Sequence, residues 1–290
     1  PNLDRMAREG MRFTRHYAGS TVCAPSRCVL MTGLHTGHAR IRGNGPGQLL
    51  PGDVTFAKVL QQHDYQTGCF GKWGIGSPPP LDDPLRHGFD EFYGYINMYH
   101  AHNYYPEFMI HNGRKVPLRN VLYDDWRAKR IGPREGAGVA RVARDYAPHL
   151  IADRMLKSIR DCAKQKDKPF FVYLPHSMPH IPLYVPDEVR DPDPKNAYIN
   201  TIEHIDAEVG RLLKTLDDLK LAGNTYVIYT TDNGPWLPFR HHGGSAGPLR
   251  EGKGTTFEGG QRVPCVMRGP GIPAGTVCDE LTGTIDVLPT

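Results

Sequence analysis

Between Asn196 and Thr230 the sequence changes its apolar period once, and that change restricts the fold more than any other feature. Ile199, Ile202, Ile205, Val209, Leu212, Leu216 and Leu219 fall three or four residues apart, the spacing of one helix face. Gly223 supplies a stop signal. Tyr226-Val227-Ile228-Tyr229-Thr230 then reads as a short buried strand, since β-branched and aromatic side chains suit the pleat. The same order occurs twice earlier. A helix at about 150–164 leads to a strand at 169–174, and a helix at about 54–62 leads to a strand at 66–70. Helices alternating with strands predict an α/β layered domain with a largely parallel sheet.

The stretch 76–138 departs from this pattern: rich in Pro, Gly, Tyr and His and weakly periodic, it reads as an excursion from the sheet over a functional site. A second, glycine-rich excursion covers 236–260. Ligands of open α/β sheets gather beyond the carboxyl ends of the strands. Three polar clusters fall at such ends: Gly71-Lys72-Trp73, His176 to His180, and Thr231-Asp232-Asn233-Gly234. No apolar run reaches about 18 residues, so no transmembrane helix is expected. The 35 basic and 31 acidic residues are interspersed, for a net charge of +4. That mixture argues against a nucleic-acid-binding stripe and leaves room for a local anion pocket. Six cysteines are too few for a disulfide scaffold, and no C-x-x-C pair suggests a zinc ribbon or a thioredoxin-type site. The chain opens at a helix start and closes where another helix begins, so it is expected to be incomplete at both ends. Its cellular location cannot be read from a targeting segment.

Cys23-Ala24-Pro25-Ser26-Arg27 places a cysteine just before a helix that Pro25 helps to open, with a guanidinium one turn along. Backbone N–H groups, helix dipole and Arg27 favour an anion there, and the same field favours a thiolate. Alone, the pentapeptide reads equally well as a structural cysteine near a cap, disulfide-bonded to Cys28. Asp232-Asn233 offers two adjacent oxygen ligands for a hard cation, or a simple Asn-Gly turn. Lys72 and Lys253 suit sulfate or phosphate as point charges. No G-x-x-x-x-G-K-[ST] is present, which argues against a nucleotide site. His180, flanked by Pro179 and Pro182, suits general acid work near neutral pH. His100 and His102 lack a carboxylate or cysteine at ligand spacing and read as substrate contacts, with Tyr104 and Tyr105 beside them as sugar-stacking candidates.

Taken in order, these motifs resemble those of type I sulfatases over nearly the whole chain. They are Cys23-x-Pro25-Ser26-Arg27 with Thr32-Gly33, Gly71-Lys72-Trp73, His180, Thr231-Asp232-Asn233-Gly234, and Gly252-Lys253-Gly254-Thr255-Thr256-x-Glu258-Gly259-Gly260. His100-Ala101-His102-Asn103-Tyr104-Tyr105-Pro106 further resembles a subset of bacterial arylsulfatase-like proteins. The resemblance implies a catalytic domain over residues 1–290 with the alkaline-phosphatase-like fold, a three-layer α/β/α sandwich around a mostly parallel mixed sheet. It implies a sulfuric ester hydrolase in which a formylglycine-generating or sulfatase-maturating enzyme oxidises Cys23 to formylglycine. The hydrated aldehyde attacks sulfur, the alcohol leaves, and a covalent sulfoenzyme then eliminates sulfate. Asp232, Asn233 and the modified Cys23 would hold calcium or magnesium. Arg27, Lys72 and Lys253 would hold the sulfate, and His180 with Lys253 would protonate the leaving oxygen. The expected substrate is a sulfated small molecule or glycan, and the expected setting periplasmic or extracellular.

Two departures from the family pattern matter. The family carries an Asp-Asp metal pair on a strand that would precede Pro1. Many relatives have histidine where this chain has Gly74, and His102 or His100 is expected to supply that imidazole. The rival readings are a phosphonate or phosphate monoester hydrolase of the same superfamily, whose phosphatases generally use Ser or Thr, and a non-catalytic binder of sulfated glycans.

Overall fold

The computed structural model describes residues 1–45, 47–75, 80–95, 97–123 and 135–290. Its first elements are α1 (Asn2–Arg8), β1 (Met11–Phe13), β2 (His16–Tyr17), α2 (Cys23–Thr32), α3 (Phe56–Gln62), β3 (Gln66–Lys72), α4 (Asp83–Arg86), β4 (Glu91–Tyr95), β5 (Phe108–His111) and β6 (Arg114–Pro117). They are followed by β7 (Val121–Leu122), β8 (Ala140–Val142), α5 (Ala147–Cys162), β9 (Phe170–Tyr173), α6 (Ala197–Asp218), β10 (Val227–Thr230), α7 (Glu258–Gln261), β11 (Cys265–Arg268), β12 (Thr276–Cys278) and β13 (Thr282–Gly283). The chain forms two compact units: Pro1–Asn44 with Asp193–Thr290, and Gly45–Pro192.

In the first unit a four-stranded sheet has the order β10-β11-β1-β12. β11 runs antiparallel to both of its neighbours and β1 pairs with β12 in parallel. α1 has no side-chain cap of its own. The Asn2 and Leu3 N–H groups instead donate to the Asp206 carboxylate on α6, at 2.9 and 2.8 Å. Such donors cannot be satisfied within the helix, so a carboxylate from a neighbouring helix both caps α1 and docks it. α6 buries Thr201, Ile205, Val209, Leu213 and Leu216. Ile199, part of the expected stripe, is 56% exposed. It lies roughly 100° around the helix from the centre of that face at 3.6 residues per turn. β10 pairs with β11 along one side, and Ile228 is 43% exposed.

The second unit is built on a five-stranded sheet of order β6-β5-β4-β3-β9. β3 pairs in parallel with β4 and β9, and the outer pairs β4–β5 and β5–β6 are antiparallel. Flanked on both sides, β3 is buried from Thr67 to Lys72. α5 covers it with Ile151, Ala152, Met155, Leu156 and Ile159. Both main sheets are thus mixed. The expected excursion at 76–138 is only partly an excursion, because Glu91–Tyr95 returns to the sheet beside β3. The aromatic run Phe92-Tyr93-Gly94-Tyr95 is a strand signal that the surrounding Pro and Gly obscure. Residues 76–79, 96 and 124–134 of that stretch lie outside the described residues. No described helix is long and apolar enough to cross a membrane.

Candidate active site

Cys23 is the first residue of α2, one position further into the helix than its sequence suggests. Val22, in extended conformation, precedes it without a side-chain cap. The side chain of Asn44 takes the Ala24 N–H at 2.9 Å. Pro25 occupies the first turn, where a missing N–H removes no intrahelical bond. Gly33, at φ +64°, ends the helix in the left-handed region. Cys23 is 3% exposed, and it is not disulfide-bonded to Cys28.

Two side chains from distant sequence meet this sulfur. Lys253 Nζ stands 3.5 Å from Cys23 Sγ, and the thiol faces Asn233 Oδ1 at 3.7 Å. Their loops are fastened by the backbone: Gly234 N–H donates to Gly260 O, Lys253 N–H to Pro235 O and Gly254 N–H to Thr21 O, at 3.0, 2.8 and 3.0 Å. Gly234 is required there, because a Cβ would lie 1.8 Å from Gly259 O. The Lys253 ammonium also lies 5.0 Å from the Trp236 ring centroid, a cation–π placement that the sequence did not announce.

Arg27 reaches Asp232 rather than standing alone. Its Nε and one terminal nitrogen both bond Asp232 Oδ2, at 2.8 and 2.7 Å. The expected sulfate ligand and the expected metal ligand therefore form a largely buried ion pair. Calcium takes six to eight oxygen ligands. The cluster offers Asp232, engaged by Arg27, the amide oxygen of Asn233, and a thiol too soft for a hard cation. The two oxygen donors suit a hard divalent cation in kind but do not fill its shell.

In the second unit, Lys72 ends β3 and is 2% exposed, its N–H donating to Pro175 O at 2.8 Å. Trp73 is buried beside it and donates from Nε1 to Asp83 Oδ2 at 2.7 Å. Gly74 has φ +65°, in the left-handed region that glycine enters without steric cost. His180 Nδ1 lies 2.7 Å from Ile181 O. A carbonyl can only accept, so Nδ1 carries a proton. The His102 ring stacks on the His180 ring, with centroids 3.7 Å apart and planes within 7°.

His100 does not serve as expected. It is fully buried, its Nε2 donates to Phe108 O at 2.9 Å, and burial pushes its pKa down to about 4. Its Nε2 is taken by the Phe108 carbonyl, which gives His100 a structural role, whereas His102 is half-buried. Tyr104, expected to meet sugar, is also fully buried, and its hydroxyl donates to His180 O at 2.7 Å.

Comparison with known proteins agrees with these motifs. A family model described as Sulfatase matches residues 1–290. N-acetylgalactosamine-6-sulfatase from Sus scrofa is 33% identical, covering 100% of this chain and 56% of its own length. Arylsulfatase A from Bos taurus is 33% identical, covering 100% and 58%. The chain thus spans little more than half of these curated relatives. Ps i-CgsB superposes with a TM-score of 0.80 at 26% identity, over 100% of this chain and 64% of that one. The same protein has been solved in complex with k-i-k-neocarrahexaose, with a TM-score of 0.77 over the same shares, also at 26% identity. The phosphonate monoester hydrolase SpPMH from Silicibacter pomeroyi, at 20% identity and a TM-score of 0.70 over 100% and 67%, shares the fold. The fold is the mixed α/β, alkaline-phosphatase-like class common to these enzymes.

Proposed function

The chain belongs to the sulfatase family, and from that premise we propose that the full-length protein hydrolyses sulfate esters of glycans with a nucleophile made from Cys23. The observation that carries this reading is the meeting of Cys23, at the start of α2, with Lys253 and Asn233. In this reading a maturation enzyme converts Cys23 to formylglycine. Its hydrate would attack sulfur, leave a sulfate ester on residue 23, and expel sulfate as the second hydroxyl gives up its proton.

The chain's own groups have roles around that chemistry. Lys253, 3.5 Å from the sulfur of Cys23, would stabilise charge on the oxygens borne by that side chain. Lys72 and Arg27 are assigned to the sulfate. His180 would protonate the departing alcohol oxygen. Asp232 and Asn233 are assigned as two oxygen ligands of a divalent cation, calcium by preference for such hard donors. The roles of Lys253, Lys72 and His180 stand without that ion. A sulfated glycan as substrate is supported by the names of the relatives.

The test uses the full-length protein co-expressed with a formylglycine-generating enzyme. The tryptic peptide from His16 to Arg27 should lose about 18 Da as the thiol becomes an aldehyde. The product should release sulfate from 6-O-sulfated N-acetylgalactosamine or a sulfated galactan oligosaccharide, and Cys23→Ala should not. A matured protein that binds these glycans without releasing sulfate favours the binding-protein reading. One that prefers 4-nitrophenyl phosphate or a phosphonate ester overturns the sulfatase assignment.

A further inference from the structure

The segment His100–Tyr105 reaches His180 twice, once at its ring and once at its backbone. The His102 imidazole lies flat on the His180 imidazole, 3.7 Å away and nearly parallel. The Tyr104 hydroxyl donates to the His180 carbonyl at 2.7 Å. The segment is itself held rigidly. His100 is fully buried with Nε2 on Phe108 O, and its N–H donates to Asn97 Oδ1 at 2.9 Å. Tyr104 is fully buried as well.

We infer that His102 and Tyr104 are positioning residues for His180, forming a cradle that sets where its Nε2 points. The inference rests on the reading of His180 as the acid. The backbone bond from Tyr104 places the Cα of His180. The bond from Nδ1 to Ile181 O assigns one proton to the inner nitrogen, which leaves Nε2 as the atom that exchanges a proton with substrate. The same Nδ1 bond holds one edge of the ring against rotation about its bond to Cβ, and the flat stack with His102 holds its face. A general acid must be aimed before it is useful, because small errors in angle and distance weaken proton transfer strongly. His102 therefore acts through His180 rather than as a second imidazole on the substrate.

The test compares a sugar sulfate, whose alcohol needs a proton to leave, with 4-nitrophenyl sulfate, whose phenolate needs little help. It is run on the matured full-length protein. His180→Ala should shift the ratio of kcat/KM between the two substrates by roughly a hundredfold or more against the sugar sulfate. His102→Ala should shift the same ratio by about tenfold, through kcat rather than KM, as expected for lost orientation. His102→Phe, which keeps a flat ring, should restore most of it, and Tyr104→Phe should shift the ratio in the same direction. In a His180→Ala background His102→Ala should add nothing. If His102→Ala does not accumulate folded, His102→Leu, which fills the volume without a ring, takes its place.

Equal losses on both substrates, or a full additional loss in the His180→Ala background, overturn the inference and leave His180 as the acid. A His180→Ala protein with an unshifted ratio overturns the acid assignment itself, and the inference falls with it.

Discussion

His100 and His102 flank a single alanine, yet their surroundings make them different chemical groups. His100 is enclosed with its ring on a backbone carbonyl, and desolvation pushes its pKa from about 6.5 down to about 4. Between those values the unfolded chain holds a proton that the folded chain excludes, so stability rises with pH across that window. The contribution is fully present above about pH 6.5 and is lost as pH falls toward 4, about 3 kcal/mol for a shift of this size. His100→Gln keeps a donor for Phe108 O and cannot titrate. It should flatten the pH dependence of the urea midpoint between pH 4.5 and 7, and an unchanged slope would show that other groups carry it. At Arg27 and Asp232 the sequence identified both groups, but each by itself. Their pairing joins residues 205 positions apart, a contact no local pattern contains.

At the scale of elements, the end of α6 shows how a local signal can be misplaced. Gly223 is the obvious stop, yet the helix ends at Asp218 and Gly223 falls in a later 3-10 turn over Ala222–Asn224. The left-handed residue is Lys220, at φ +57°. Leu221 N–H bonds Leu216 O at 2.8 Å and Lys220 N–H bonds Asp217 O at 3.0 Å, the closing pattern of a Schellman motif. The buried Leu216 anchors that closure, so packing sets the stop ahead of the glycine. A side chain in the left-handed region costs about 1 kcal/mol that glycine avoids. Lys220→Gly should therefore raise the stability of the full-length protein by about 0.5–1 kcal/mol, read as a higher thermal midpoint. A lowered midpoint would mean that the lysine side chain contributes more than the strain costs.

At the scale of the molecule, the first unit is assembled from both ends of the chain. Cys23 lies against Asn233 and Lys253, more than 200 residues later, and is only 3% exposed once they are in place. Contacts of such separation form late, because a long loop must close first. We expect the thiol to be open to a maturation enzyme on the nascent or unfolded chain and closed to it afterwards. Unmodified full-length protein, incubated folded with a formylglycine-generating enzyme, should keep its Cys23 thiol by peptide mass. The same protein in urea compatible with the enzyme, or a peptide spanning residues 16–32, should be converted. Equal conversion of folded and unfolded protein would show that Cys23 is reached by local opening.

The sequence by itself determined what depends on neighbouring residues. Its periods marked α3, α5, α6 and the strand that follows each, the polar clusters marked strand ends, and the ordered motifs identified the family. Each of these is a property of a few adjacent side chains or of the spacing between them. Only the tertiary structure decided that β3 lies inside its sheet between β4 and β9, that Ile199 faces outward, and that His100 is enclosed while His102 lies on His180. Burial and pairing depend on which distant segments come to lie alongside, and the free energy of those contacts is shared between residues that carry no local mark of one another.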